Sequence, residues 1–171
     1  LCRFLRGAGG VVSANGGAVP QSGKGGGGGG RIAVVYDVEE QDQEPLPSIR
    51  FSTIPGIGDV SLMGDLGTVF FPDNRLLTGQ TGFIVHSGTW LSDEPLTTWS
   101  ADRLVISNAW LRLPLGGLSI NVAGAVVVTG ADPAIHKLDI TNATVNCASL
   151  SVEKSVGLVV RGGITDGQQG V

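Results

Sequence analysis

Charge is scarce in this 171-residue chain. Only 15% of its residues are Asp, Glu, Lys or Arg, well under the usual quarter, and eleven bases against fifteen acids leave a formal net charge of −4. No basic stripe is available to displace counterions from a phosphate backbone, which argues against a nucleic-acid partner. Aromatic residues make up 5%. No apolar run approaches the ~20 residues of a membrane-spanning helix, so membrane insertion is not expected. Two histidines and two cysteines, Cys2 and Cys147, form no metal-ligand spacing and no disulfide framework. Neither a metal nor another cofactor is called for. Cys147 reads as a small buried hydrophobe and Cys2 as frayed at the terminus. The chain opens at Leu1 with no initiator Met or signal-like segment, and so reads as part of a longer polypeptide.

Glycine is what the chain has in excess, 28 residues in all, with an unbroken run from Gly25 to Gly30. Such a run is ordinarily a flexible linker. Here it leads into Arg31-Ile32-Ala33-Val34-Val35-Tyr36, a β-branched strand candidate, and follows Val11-Val12-Ser13-Ala14-Asn15-Gly16-Gly17. Backbone without Cβ atoms between two strands fits close packing better than a loose tether. Residues 37–44 hold five acids and no base, followed by Pro45 and Pro47. They read as a solvated surface loop, since no calcium-loop pattern is present.

From residue 50 onward, short apolar runs are broken by Gly, Pro, Asn or Asp. Leu118/Ile120/Val122 and Leu138/Ile140 alternate with polar residues at the period of a half-buried strand. None keeps a helical stripe. An internal repeat then chooses among β folds. Leu104-Val-Ile-Ser-Asn108-Ala109-Trp-Leu matches Leu138-Asp-Ile-Thr-Asn142-Ala143-Thr-Val, and Leu118-Ser-Ile matches Leu150-Ser-Val. Elastic offsets carrying several short strands predict a coil climbing one rung per turn, with insertions absorbed in the turns. The expected fold is all-β, a right-handed parallel β-helix. A Gly-rich N-terminal portion (1–50) is continuous with the rungs (51–171), and the two make one structural domain.

Val12-Ser13-Ala14-Asn15-Gly16-Gly17, the glycine run into Arg31-Ile32-Ala33-Val34, and Gly67-Thr68-Val69-Phe70-Phe71 together resemble a module of very large bacterial extracellular proteins. In those proteins such segments precede rungs of a right-handed parallel β-helix. The resemblance covers most of residues 7–163 and departs at the acidic 37–44 stretch. It implies a secreted or cell-surface location and an adhesin-like or structural role, and no particular chemistry.

Motifs for catalysis are thin. A phosphate loop would need glycine where Ala18 stands and Ser or Thr where Gly25 stands. His86 and His136 have no nucleophile elbow beside them. A β-helix glycoside hydrolase or polysaccharide lyase needs clustered carboxylates, and the adjacent pair is Asp93-Glu94. These two are the catalytic candidates if the protein is an enzyme, the rival to a non-enzymatic reading. The more suggestive feature is Trp90, Trp99 and Trp110, gathered within 21 residues. An exposed indole stacks on a sugar ring and donates a hydrogen bond, which makes all three carbohydrate-contact candidates; the competing role is bracing the interior of the coil. The leading expectation is a structural or adhesive segment contacting a polysaccharide or cell-surface glycan, and a rigid spacer that binds nothing is the third possibility. Partners through the coil's ends would be the rest of a longer polypeptide or other copies of the chain.

Overall fold

The computed structural model describes residues 1–19, 24–58, 63–79, 82–131 and 136–153, and the backbone of 157–165. Strands dominate, and they stack in parallel as a β-solenoid of about three turns. In chain order the first elements are β1 (Ala8–Ser13), β2 (Arg31–Ala33), α1 (Val38–Asp42), β3 (Ser48–Ser52), β4 (Thr68–Phe71), α2 (Arg75–Thr78) and β5 (Phe83–Ile84). Then follow β6 (Gly88–Ser92), β7 (Thr98–Ala101), β8 (Leu104–Ser107), β9 (Trp110–Leu113), β10 (Ser119–Thr129), β11 (Lys137–Val152) and β12 (Gly157–Thr165). The chain falls into two compact units, one of Leu1–Asp73 with His86–Asp93, the other of Asn74–Val85 with Glu94–Val171.

In the first unit β1 pairs with β3, β2 with β4, and β4 with β6, all parallel. In a parallel ladder, residues opposite one another point to the same face. Ile32, Val69 and Trp90 therefore form one column, and all three are buried. Phe51 and Phe71 meet edge to face at 4.9 Å, and Phe71 stacks on Trp90 at 4.9 Å, filling the wide part of this interior with rings.

The glycine run is ordered. The Gly30 N–H donates to Ala14 O and the Gly27 N–H to Gly17 O, three residues apart on both segments. On the other side Gly29 donates to Asp65 O, Gly56 to Gly27 O and Gly67 to Thr53 O. Four extended segments thus satisfy one another's backbone groups at distances that side chains would forbid. A Cβ built on Gly29 would fall within the van der Waals envelope of the Thr53 carbonyl oxygen. The run is there because backbone packs on backbone.

Residues 37–44 lie mostly at the surface, as their charge implies, but they form a short helix and not a loop. Asp37 caps α1 by accepting from the Glu40 N–H at 3.1 Å, and Gln41 turns inward. The Gln41 amide accepts from Leu5 N–H (2.6 Å) and donates to Leu5 O (3.2 Å), standing in for a strand partner. Arg3 and Arg6 close on Glu40 and Glu44 at 2.5 Å each. Cys2 also donates its N–H to Val35 O, so the terminal segment is fastened rather than frayed.

In the second unit β10 runs between β7 and β11 over its first half, Ser119–Val122, and between β8 and β11 over its second. The first half of β11 lies between β9 and β12. Three faces are therefore traced per turn. One turn takes roughly 20–27 residues, as from Leu104 to Val126 and from Leu111 to Leu138. Inward columns are apolar and closed: Trp99–Ile120–Val145, Ile84–Ile106–Val128, and Leu113–Ile140. The strands bend where the register slips, between Val122 and Ala125 and between Thr141 and Thr144.

The sequence repeat at Asn108 and Asn142 marks corners and not the rung period. Both residues adopt left-handed backbone (φ 47° and 54°), which Asn tolerates better than other side chains. Each is followed by a buried alanine, Ala109 or Ala143. Asn108 turns β8 into β9 and Asn142 turns the first stretch of β11 into its second, which are different corners of the coil. Similar turns need similar residues wherever they fall.

Candidate functional site

All three tryptophans are buried. Trp90, Trp99 and Trp110 are 1%, 3% and 5% exposed. Trp90 stacks on Phe71, and Trp99 lies under the inward column it shares with Ile120. Trp110 is on the outward side of β9, since Leu111 and Leu113 take the inward positions, but it is roofed by basic side chains. The Lys137 ammonium sits 3.7 Å from its ring centroid, and the Arg112 guanidinium lies 5.7 Å away. Arg112 also donates to the Asp139 carboxylate at 2.9 Å across the β9–β11 pair. These groups knit two strands together with one cation–π contact and one ion pair, both partly covered.

Asp93 and Glu94 are exposed. Glu94 is tied to the loop before α2: its carboxylate accepts from the Asn74 backbone N–H at 3.3 Å, and its carbonyl from the Asn74 side chain at 2.8 Å. His86 is 1% exposed and its Nδ1 accepts from the Phe51 backbone N–H at 3.3 Å, between the rings of Phe51 and Trp90. His136 is half-buried. Asp73, also buried, accepts from the Tyr36 hydroxyl at 2.8 Å. Cys147 is buried and Cys2 exposed, neither in a disulfide. Among the described residues, no three His, Cys, Asp or Glu side chains gather as a metal site.

Among the described residues two outward surfaces stand out, neither of them evident from composition. On the β7–β10–β11 face, Thr98, Ser119 and Thr144 form one column and Ser100, Asn121 and Asn146 the next. Asn146 donates to Asn121 Oδ1 at 2.7 Å, so the amides are held in a ladder rather than free to rotate. The signal for this face lay in the alternation within 118–122 and 143–147, where the outward positions Ser119, Asn121, Thr144 and Asn146 are small hydrogen-bonding residues. The second surface is an open groove of about 450 Å³ lined by Arg6, Glu44 and the Pro45-Leu46-Pro47 turn. The Glu44 carboxyl is held below its ordinary value by its hydrogen bond from Arg6, and the Arg6 guanidinium is raised by the same bond. Arg3 is raised likewise by Glu40. Ser48 also lines the groove, and the acid and base there are paired to each other.

Comparison of the chain with protein-family models, with curated proteins and with solved structures gives no match.

Proposed function

We propose that this chain is a non-enzymatic structural and adhesive segment of a larger secreted or cell-surface protein. The observation that carries the reading is where its large side chains are used. Trp90 and Trp99, rings that would serve as sugar platforms elsewhere, fill interior columns, Trp110 is covered by Lys137 and Arg112, and the polar residues on β7, β10 and β11 face outward in register. Stiffness comes from closed columns and repeated backbone ladders. Adhesion comes from the flat face of Thr98, Ser119, Thr144, Ser100, Asn121 and Asn146, an uncharged array suited to hydroxyl-rich, neutral polysaccharide. Each contact is weak, and affinity accumulates when many line up on one chain of sugar. The resemblance of residues 7–163 to modules of large bacterial extracellular proteins supports the location.

The test is native electrophoresis through gels cast with neutral and acidic polysaccharides. Retarded migration without clearing is expected in a neutral gel, and Thr144→Lys should restore free migration, whereas Trp110→Phe should not. Unretarded passage through every gel would reduce the protein to a spacer. A cleared track would make it a polysaccharide-degrading enzyme and overturn the proposal.

A further inference from the structure

The outside of the second unit is not uniform, and register lets its three faces be compared. On the β5–β8–β10 face the outward column is Phe83, Val105 and Val127. On the β9–β11 face Trp110 stands opposite Lys137, and Arg112 opposite Asp139. The β7–β10–β11 face alone among the three presents only uncharged hydrogen-bonding side chains in its outward columns, Thr98–Ser119–Thr144 and Ser100–Asn121–Asn146. Thr98, Ser100 and Thr144 are exposed and the other three half-buried. This array is narrow along the strands. β7 ends at Ala101 and the register of β10 slips after Val122, so each rung offers two such positions, roughly 7 Å apart. Across the strands three rungs follow one another at about 4.8 Å, and the register of β11 with β12 carries the columns on to Gly163 and Thr165. The long axis of the array therefore crosses the strands.

We propose that the ligand of this face is an extended β-1,4-glucan chain lying across the strands, one sugar residue per rung, with its two edges on the two columns. The inference rests on the adhesive reading above and specifies its ligand. Charge and shape both select it. Six neutral side chains give a carboxylated glycan no cation to pair with, and none of the six is an apolar residue that would receive an acetyl methyl. A chain bearing only hydroxyls fits. In a β-1,4-linked ribbon each residue advances by close to one rung spacing and turns over relative to the last, so hydroxyls recur along both edges. An α-1,4-linked chain curls and does not keep its hydroxyls level with successive strands. The side chains meet both roles of a sugar hydroxyl. Thr and Ser donate and accept, while Asn121, its oxygen engaged by Asn146 at 2.7 Å, contributes its NH2 group as a donor. Amides held in place before binding lower the cost of ordering the site.

Titration of the isotope-labelled chain with cellohexaose, cellobiose and maltohexaose, followed by amide chemical shifts, tests the idea. Cellohexaose should move resonances confined to 98–100, 119–121 and 144–146. Cellobiose, which spans fewer rungs, should bind more weakly, and maltohexaose at the same concentration should move none of them. Thr144→Val keeps the shape of an exposed strand residue and removes its hydroxyl, so cellohexaose affinity should fall by a few-fold to about tenfold. The same spectra report whether the variant folds, and Ser119→Ala takes its place if it does not. Equal or tighter binding of maltohexaose, or cellobiose as tight as cellohexaose, would overturn this ligand and orientation while leaving a glycan-binding face. Shifts on this face from neither hexasaccharide would overturn it as well, and the adhesive reading falls with it only if the wild-type chain also passes unretarded through neutral polysaccharide gels.

Discussion

At the scale of single residues, the glycines are not equivalent, and the difference is testable. A methyl on Gly29 would collide with the Thr53 carbonyl and the Gly67 amide, which are backbone groups locked in their own hydrogen bonds and unable to yield. Around Gly17 there is open space. Gly29→Ala should therefore cost about 2–4 kcal/mol, at the upper end of overpacking penalties, and Gly17→Ala should stay within about 0.5 kcal/mol, both read from urea midpoints. Equal costs would mean that the glycine run is not packed as described. That the run was ordered could be read from its flanks, because Val12 and Ile32 mark strands that a loose tether would not join so closely. Which glycines touch could not be read, since a homopolymer carries no register. The tryptophans teach the complementary lesson. Indole suits a sugar platform and a wide interior equally well, and only the register of Trp90 with Val69 and of Trp99 with Ile120 decides for the interior.

At the scale of elements, α1 and the segment before β1 behave as one fastening. Five residues are too few for a helix to persist alone; α1 exists because Asp37 caps it and Gln41 plugs into the Leu5 backbone. The charge pattern of residues 37–44, five acids without a base, hid this in the sequence because the partnering arginines, Arg3 and Arg6, lie more than thirty residues earlier. The fastening should be acid-sensitive. Glu44 has its folded value depressed below the ordinary 4.5, so its contribution is present above that value and is lost as pH falls through the lower folded one. As pH falls below the ordinary carboxylate range the Leu5 amide resonance should move toward its unstructured position while the solenoid strands hold, and Glu44→Gln should abolish that step. Both arginine pairs reach solvent, so added salt should loosen the segment as well. A Leu5 resonance unmoved by acid would show that Gln41 alone holds it. Elsewhere the elements were legible: alternation announced β10 and β11, and Gly, Pro and Asn punctuation placed the turns. The rung period was not, because the clearest repeat, around Asn108 and Asn142, follows the left-handed corners.

At the scale of the whole molecule, the all-β solenoid was visible in the sequence because its requirements are periodic and local: inward apolar residues every second position, and small or left-handed residues at corners. What binds to it was less visible. Adhesion on this architecture depends on which outward side chains fall into register between rungs, and that register is a product of loop lengths rather than of any motif. The central claim is that the glycine-rich portion and the rungs are both ordered, backbone-bonded stacks. Amide hydrogen exchange resolved residue by residue tests it most directly. Protected amides are expected at Gly27, Gly29, Gly30, Gly56 and Gly67, with protection comparable to that of Val69 and Ile120. Exchange of those glycines at the rate of an unstructured chain, beside protected strands, would contradict it and return the Gly25–Gly30 run to a flexible linker.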